Sequence, residues 1–146
     1  MSQTRAAALH DLEGEVGVLL RRIKRVIADR AACVHPDLQP GAFHMLIWIA
    51  EHGPVRSSAL VEEFHVDKGA VSRTLQHLCE LGLIDRAPDP ADGRAALMSA
   101  SPDAVRRLRE ADDQRRAWVQ ERLKGWSATE LAELAAQLGR YNDALT

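Results

Sequence analysis

Apolar residues fall at Leu9, Leu12, Val16, Leu19, Ile23 and Val26, in steps of 3, 4, 3, 4 and 3. That spacing is the narrow seam of a helix that packs lengthwise against another helix. It returns near the other end of the chain at Leu131, Leu134, Leu138, Tyr141 and Leu145. Ser127 and Glu130 of "SATE" predict a capping box where that last helix begins. Before it, Ser101 and Pro102 of "SPDA" predict an N-cap followed by a first-turn proline. The helix they open is expected to reach about Lys124 and carries Arg106, Arg107, Arg109, Arg115 and Arg116. Two seams of this kind fit packing within one chain, or interleaving of two chains into a dimer, and periodicity does not choose between them.

The middle of the chain has another texture. "GAFHMLIWIAEH" (41–52) is a strongly apolar helix stopped by Gly53 and Pro54. "SSALVEEF" (57–64) is a short helix with Leu60, Val61 and Phe64 inward. Asp67 is a predicted N-cap for the helix in "DKGAVSRTLQHL" (67–78), whose buried face is Val71, Leu75 and Leu78. Gly82 is placed to end it in a Schellman arrangement, with Leu83 against Leu78. "LIDRAPDPADGRAALMSA" (83–100) then reads as strand, turn, strand, with Asp92 and Gly93 as the tight turn. The expected fold is mainly α with a small β-hairpin wing: a winged helix-turn-helix over 36–101, flanked by helical dimerisation segments at 1–35 and 102–146 of a single chain.

On the helix that follows Asp67, Gly69, Arg73, Gln76 and His77 lie opposite the apolar face, flanked by Ala70 and Ser72. Small residues let a backbone approach the floor of the DNA major groove. Arg73 suits guanine O6 and N7, and Gln76 suits adenine, each in two-point contact. Lys68 and the helix N-terminus favour a phosphate. At the hairpin tip, Arg94 beside Asp92 fits the narrow minor groove, whose negative potential attracts a guanidinium. A solvated helix face and an ordinary surface ion pair are the plainer readings of the same residues.

Charge complicates this picture. The formal net charge is −2, and residues 36–101 hold five basic and nine acidic side chains. DNA binding there must come from placed charges and not from a general positive field. The acidic middle third is the argument for the alternative, a winged helix that contacts proteins. Arginines at both the helix face and the wing tip are the argument against it.

The stretch "EHGPVRSSALVEEFHVDKGAVSRTLQHLCELGLIDRAPDPADGRAALMSASPDA" (51–104) resembles the multiple antibiotic resistance regulator (MarR) family of transcription factors. The resemblance is carried by "DKGAVSRTLQHLCELGLIDR" and the "DGR" wing tip. It implies a homodimer joined through the terminal helices, with one winged helix per subunit, binding a palindromic double-stranded operator. It further implies a repressor released by a small aromatic or anionic effector, or by thiol oxidation. By position, Lys68, Gly69, Ala70, Ser72, Arg73 and Gln76 would face the major groove and Arg94 the minor groove. Asp92 would orient Arg94, and Arg86 would reach a phosphate. Arg56 stands where the family prefers a Thr or Ser cap, His65 replaces a turn glycine, and Gly93 replaces a second basic wing residue. "SPDA" also lacks the glycine that commonly follows the proline.

His44, Trp48 and His52 share one helix face at i, i+4 and i+8, a lining for an anionic ring compound or simply a packed Trp between two histidines. Cys33 and Cys79 have no CxxC or metal spacing. Cys79 reads as a small core residue, and Cys33, three residues after Arg30, as the weaker alternative of an oxidation sensor. His44, Glu51 and His52 come nearest to a metal cluster without making one. No cofactor motif and no nucleophile–base spacing is present, so an enzyme is not expected. The longest apolar run is "MLIWIA" (45–50), far below a membrane span of ~20 residues. The N-terminus lacks the apolar region of a signal peptide. A reduced cytoplasmic protein is the expectation.

Overall fold

The computed structural model describes residues 4–146. Its elements are α1 (Arg5–Val34), α2 (Pro40–His52), α3 (Ser57–Phe64), α4 (Lys68–Glu80), β1 (Ile84–Asp89), β2 (Asp92–Ala100), α5 (Pro102–Arg122) and α6 (Ala128–Ala144). This is the mainly helical winged helix-turn-helix that the pattern predicts. The chain forms two units that divide within α5, between Ala111 and Asp112.

The first unit is built around one apolar cluster. Phe43, Leu46 and Ile49 of α2, Leu60 of α3, and Val71, Leu75 and Leu78 of α4 are buried together with Leu83, Ile84 and Met98 of the hairpin. The cluster also takes in Ala31 and Val34 of α1 and Ala104 and Ala111 of α5. Both long helices therefore lend an end to the core of the winged helix. Arg107 seals one of these joins: its Nη1 donates to the Val34 carbonyl at 2.9 Å, one of the carbonyls that a helix end leaves without an internal partner.

The caps form as expected. Asp67 accepts from the Ala70 amide at 2.9 Å. At the far end of α4, Leu83 N–H donates to Leu78 C=O and Gly82 N–H to Cys79 C=O, each at 3.0 Å. Gly82 sits at φ 70°, so both Schellman bonds and the left-handed glycine are present. Ser101 accepts from the Ala104 amide at 3.1 Å while its hydroxyl donates to Gly82 C=O at 2.8 Å. One hydroxyl thus fastens the start of α5 to the turn after α4. Arg56 is the N-cap of α3 and supplies no side-chain cap bond. His65 closes α3 at φ 51°, ψ 38°, a left-handed conformation that His tolerates better than β-branched residues.

β1 and β2 are antiparallel, and Val55 adds a bridge to Met98 through bonds of 3.0 and 2.8 Å. The hairpin differs from expectation at its tip. Asp92 and Gly93 do not form the turn; it is Pro90–Ala91, because Asp89 Oδ1 accepts from the Ala91 amide at 2.9 Å and proline's fixed φ suits the first turn position. The register runs Pro88 opposite Ala96 and then Asp89 opposite Asp92. Gly93, Arg94 and Ala95 consequently bulge out of β2 without partners on β1.

The predicted seams stay largely exposed, with Val16, Val26 and Tyr141 half-buried. Leu9, Leu12, Leu19 and Ile23 are each more than two-fifths exposed, and α6 buries none of its residues. The second unit, α5 from Asp112 onward with α6, has its capping box: Ser127 Oγ accepts from the Glu130 amide at 3.2 Å, and Ser127 N–H donates to Glu130 Oε2 at 2.7 Å. Those bonds to Ser127 hold the Glu130 carboxyl below its ordinary pKa.

Replacing Gly82 with Ala should destabilise the fold by about 1–2 kcal/mol, the cost of a left-handed Cβ. No neighbouring atom lies within 4 Å of the position that Cβ would take, so backbone strain is the whole effect. Equilibrium urea denaturation of the two proteins at one concentration measures it.

Candidate nucleic-acid interface

Val71, Leu75 and Leu78 are each at most 1% exposed, and burial of one helix face obliges the other to point away from the core. Gly69, Ser72, Arg73 and Gln76 are all on the exposed side, with Ala70 half-buried beside them. Gly69 has a specific local use. A Cβ there would lie 3.1 Å from Asp67 Oδ1 and 3.3 Å from Arg73 Nη1. The missing side chain leaves room for the Arg73 guanidinium to lie back over the first turn of α4.

Two residues placed on this face by sequence have commitments elsewhere. His77 donates from Nε2 to Asp37 C=O at 3.1 Å, which turns its ring towards the segment between α1 and α2. Gln76 donates to Glu80 Oε1 at 3.0 Å, so it must leave that partner to meet a base. Asp92 accepts from the Arg94 backbone amide at 3.1 Å. It shapes the bulge through the main chain, where the sequence had it holding the guanidinium.

Arg94 does not stand alone. With Arg56, Arg86, Ser57, Ser58 and Ser72 it lines a cleft of about 350 Å³ between the wing, the start of α3 and α4. Lys68 lines a second cleft of about 300 Å³ with Ser57, Ser58, Val61 and Glu62. Three arginines and Lys68 thus line two clefts that share Ser57 and Ser58 at the start of α3, although the region as a whole is acidic.

Arg56 and Asp89 are the participants that sequence reasoning missed. Arg56 Nε donates to Asp89 Oδ2 at 2.5 Å, and its Nη2 reaches the same oxygen. The Asp89 side chain is 8% exposed, against 43% for Arg56. The Ala91 amide and the Arg56 guanidinium, in that order, hold the Asp89 carboxyl below its ordinary pKa, against the opposing effect of burial. Arg56 stood out as an unusual cap, but nothing local pointed to a partner 33 residues away.

The lining read from His44, Trp48 and His52 is only partly assembled. His52 stacks on Trp48 with ring centres 4.4 Å apart, and its Nδ1 donates to Trp48 C=O at 2.9 Å. Trp48 meets Phe64 edge-on at 6.4 Å. His44 is exposed and tilted against Phe43 at 6.1 Å. One face of the Trp48 ring is thus already taken by His52. Cys33 is exposed and Cys79 half-buried. Among the described residues no group of three or more His, Cys, Asp or Glu is placed to hold a metal, and no helix is long and apolar enough to cross a membrane.

Residues 37–95 match the model of the MarR family. The HTH-type transcriptional regulator YxaD of Bacillus subtilis is 32% identical over 134 residues, which span 91% of this chain and 92% of YxaD. The chain belongs to the MarR family. Solved folds agree. The YusO protein of Bacillus subtilis superposes with a TM-score of 0.81 at 18% identity, covering 97% of this chain and 99% of YusO. Streptococcus pneumoniae FabT, solved in complex with DNA, superposes with a TM-score of 0.76 at 18% identity, covering 94% and 96%. As a MarR-family member the protein is a DNA-binding transcriptional regulator, and not the protein-binding winged helix that its acidic middle third left open.

The depressed Asp89 pKa fixes the sign of a pH effect. The folded state favours the carboxylate over the acid more than the unfolded chain does. Its stabilisation is therefore present above the ordinary value of 3.8 and is lost as pH falls through the lower folded value. Asp89→Asn should be less stable than wild type at neutral pH, with the gap closing as pH drops below 3.8. Urea titrations of both proteins across that range measure the gap.

Proposed function

We propose that this MarR-family regulator is a cytoplasmic homodimeric repressor, bound to a palindromic double-stranded operator and released from it by a small aromatic or anionic effector. The observation that carries the DNA-reading part is the one-sided burial of α4. Its apolar face is locked into the core, while Gly69, Ala70, Ser72, Arg73 and Gln76 are left on the outer side. Arg73 takes the role of the base reader, in two-point contact with guanine. Lys68 and Arg86 serve phosphates. Arg94, carried out of the ladder by the three-residue bulge, enters the minor groove. His77 belongs to the support of this face through its bond to Asp37, and Asp92 to the shaping of the bulge.

The dimer is supported by the uncovered seams. Leu9, Leu12, Leu19 and Ile23 on α1, and Leu131, Leu134, Leu138 and Leu145 on α6, keep coiled-coil spacing yet stay exposed in the single chain. Exposed leucines and isoleucine at this spacing call for a second helix. Segments 1–35 and 102–146 supply that interface and 36–101 the reader. Two readers related by a two-fold axis match half-sites about one helical turn apart. The effector reading rests on family membership together with the partly exposed Trp48–His52 stack and His44.

Fluorescence anisotropy with the DNA flanking the protein's own gene, at physiological salt with random-sequence competitor, is the direct test. Saturable binding with two subunits per site is expected. Arg73→Ala should lose about 1–3 kcal/mol of operator affinity and relax the base preference at one position in each half-site. Arg94→Ala should weaken binding and flatten its salt dependence by about one unit of slope. Unchanged affinity and selectivity in Arg73→Ala would remove the groove assignment.

A further inference from the structure

The wing of this protein is tied to the rest of the winged helix at two levels. Near its root, Val55 bridges to Met98 by two backbone bonds. Near its tip, ladder pairing stops at Pro88–Ala96, and the bulge of Gly93, Arg94 and Ala95 begins. Backbone pairing with β1 resumes only at Asp89–Asp92. What fixes Asp89 is a side-chain bond to another element. Its Oδ2 takes two nitrogens of Arg56, the residue that opens α3, and its Oδ1 takes the Ala91 amide of the turn.

We propose that Arg56 and Asp89 are a latch that sets the position of Arg94 for DNA, acting as positioning residues and not as DNA contacts. The inference rests on the DNA-reading role given to Arg94 above. Four observations carry it. Asp89 is buried although it is charged, and an isolated carboxylate would not stay so without a bonded cation. Arg56 Nε and Nη2 both meet Asp89 Oδ2, so its guanidinium is committed to the wing. The Asp89–Asp92 and Pro88–Ala96 pairs bracket the bulge that bears Arg94, so movement of Asp89 away from α3 carries Arg94 with it. Arg56 and Arg94 line the same cleft, which places the latch and the group it positions on one side of α4.

The latch makes a prediction opposite in sign to plain electrostatics. Removing an acidic charge next to a DNA-binding surface should strengthen binding by lessening repulsion of phosphates. Asp89→Asn keeps the shape of the side chain and the acceptor for the Ala91 amide but loses the charged anchor for Arg56. It is expected to bind operator about tenfold more weakly, the lower end of what one well-placed contact contributes. Arg56→Thr is the second variant, because it supplies the hydroxyl cap that α3 lacks while removing the pair. It leaves Asp89 without its cation, so a lower melting temperature is expected, and a similar factor in affinity is expected to be lost at a temperature where the variant is still folded.

The deciding experiment is a double-mutant cycle by operator anisotropy, with Asp89→Asn and Arg56→Thr each made alone and in the Arg94→Ala background. The latch requires both losses to vanish once Arg94 is gone. Losses that persist unchanged in the Arg94→Ala background would mean that Arg56 meets DNA itself or that the pair is merely structural, and would overturn the proposal. Wild-type affinity or tighter binding by Asp89→Asn would overturn it as well. Wild-type protein that prefers its operator over random DNA, with that preference reduced by Arg94→Ala, secures the underlying reading. Failure of those two controls would sink that reading and the latch together, whereas their success with an additive cycle sinks the latch alone.

Discussion

The functional surface depends on the burial of one face of α4. Val71, Leu75 and Leu78 enter the same apolar cluster as Phe43, Leu46, Ile49, Leu60 and Leu83. Each such side chain is worth about 2 kcal/mol when taken from water, so α4 cannot roll without losing several of them together. A helix fixed about its own axis in this way presents a fixed outer face. Arg73 and its small neighbours therefore face outward as a consequence of packing and need no further device to aim them. The caps serve the same end: Asp67 and the Gly82 Schellman turn set where α4 begins and stops, and hence which residues lie near its tip.

The wing is positioned by different physics. A two-stranded hairpin has no second layer of its own and little apolar area to hold it, and such hairpins are marginal alone. Here it leans on the core through Ile84 and Met98 and is stitched to Val55. Beyond Met98 the apolar anchorage thins out, and polar links take over: Arg56 with Asp89, Asp89 with Ala91, Asp92 with Arg94. Polar links are directional and so suit an element whose angle matters. They also make the placement of the wing more sensitive to charge and pH than the placement of α4, which rests on apolar contact.

Net charge is a poor guide to this interface. The middle of the chain is acidic, yet several of its acids are engaged on their own structure: Asp67 on an amide of α4, Asp89 on Arg56 and Ala91, Asp92 on Arg94. Of these, Asp89 is buried and paired with a cation, so it enters the sum while adding little exposed negative field, whereas Asp67 and Asp92 stay exposed. Arg56, Arg86 and Arg94 share one cleft while Lys68 lines another. An electrostatic surface is decided by which charges are already partnered, and a sum over residues does not contain that.

Much of the fold could be read along the chain because its signals are local. Seams of 3 and 4, N-cap residues, a C′ glycine and a capping box act over one or two helical turns, so Asp67, Gly82, Ser101 and Ser127 carried their own geometry. The outer face of α4 was legible for the same reason, since periodicity alone separates it from Val71, Leu75 and Leu78. The tip of the wing was not. Asp-Gly is a strong turn signal in isolation, but the turn formed two residues earlier, where Asp89 could bond Ala91 and be held by Arg56. The same holds for His77 with Asp37, Arg107 with Val34 and Ser101 with Gly82. These pairs join residues from 19 to 73 positions apart. Pattern specifies an element and the face it buries. Bonds between elements depend on where packing brings their ends together, and that exists only once the core has closed.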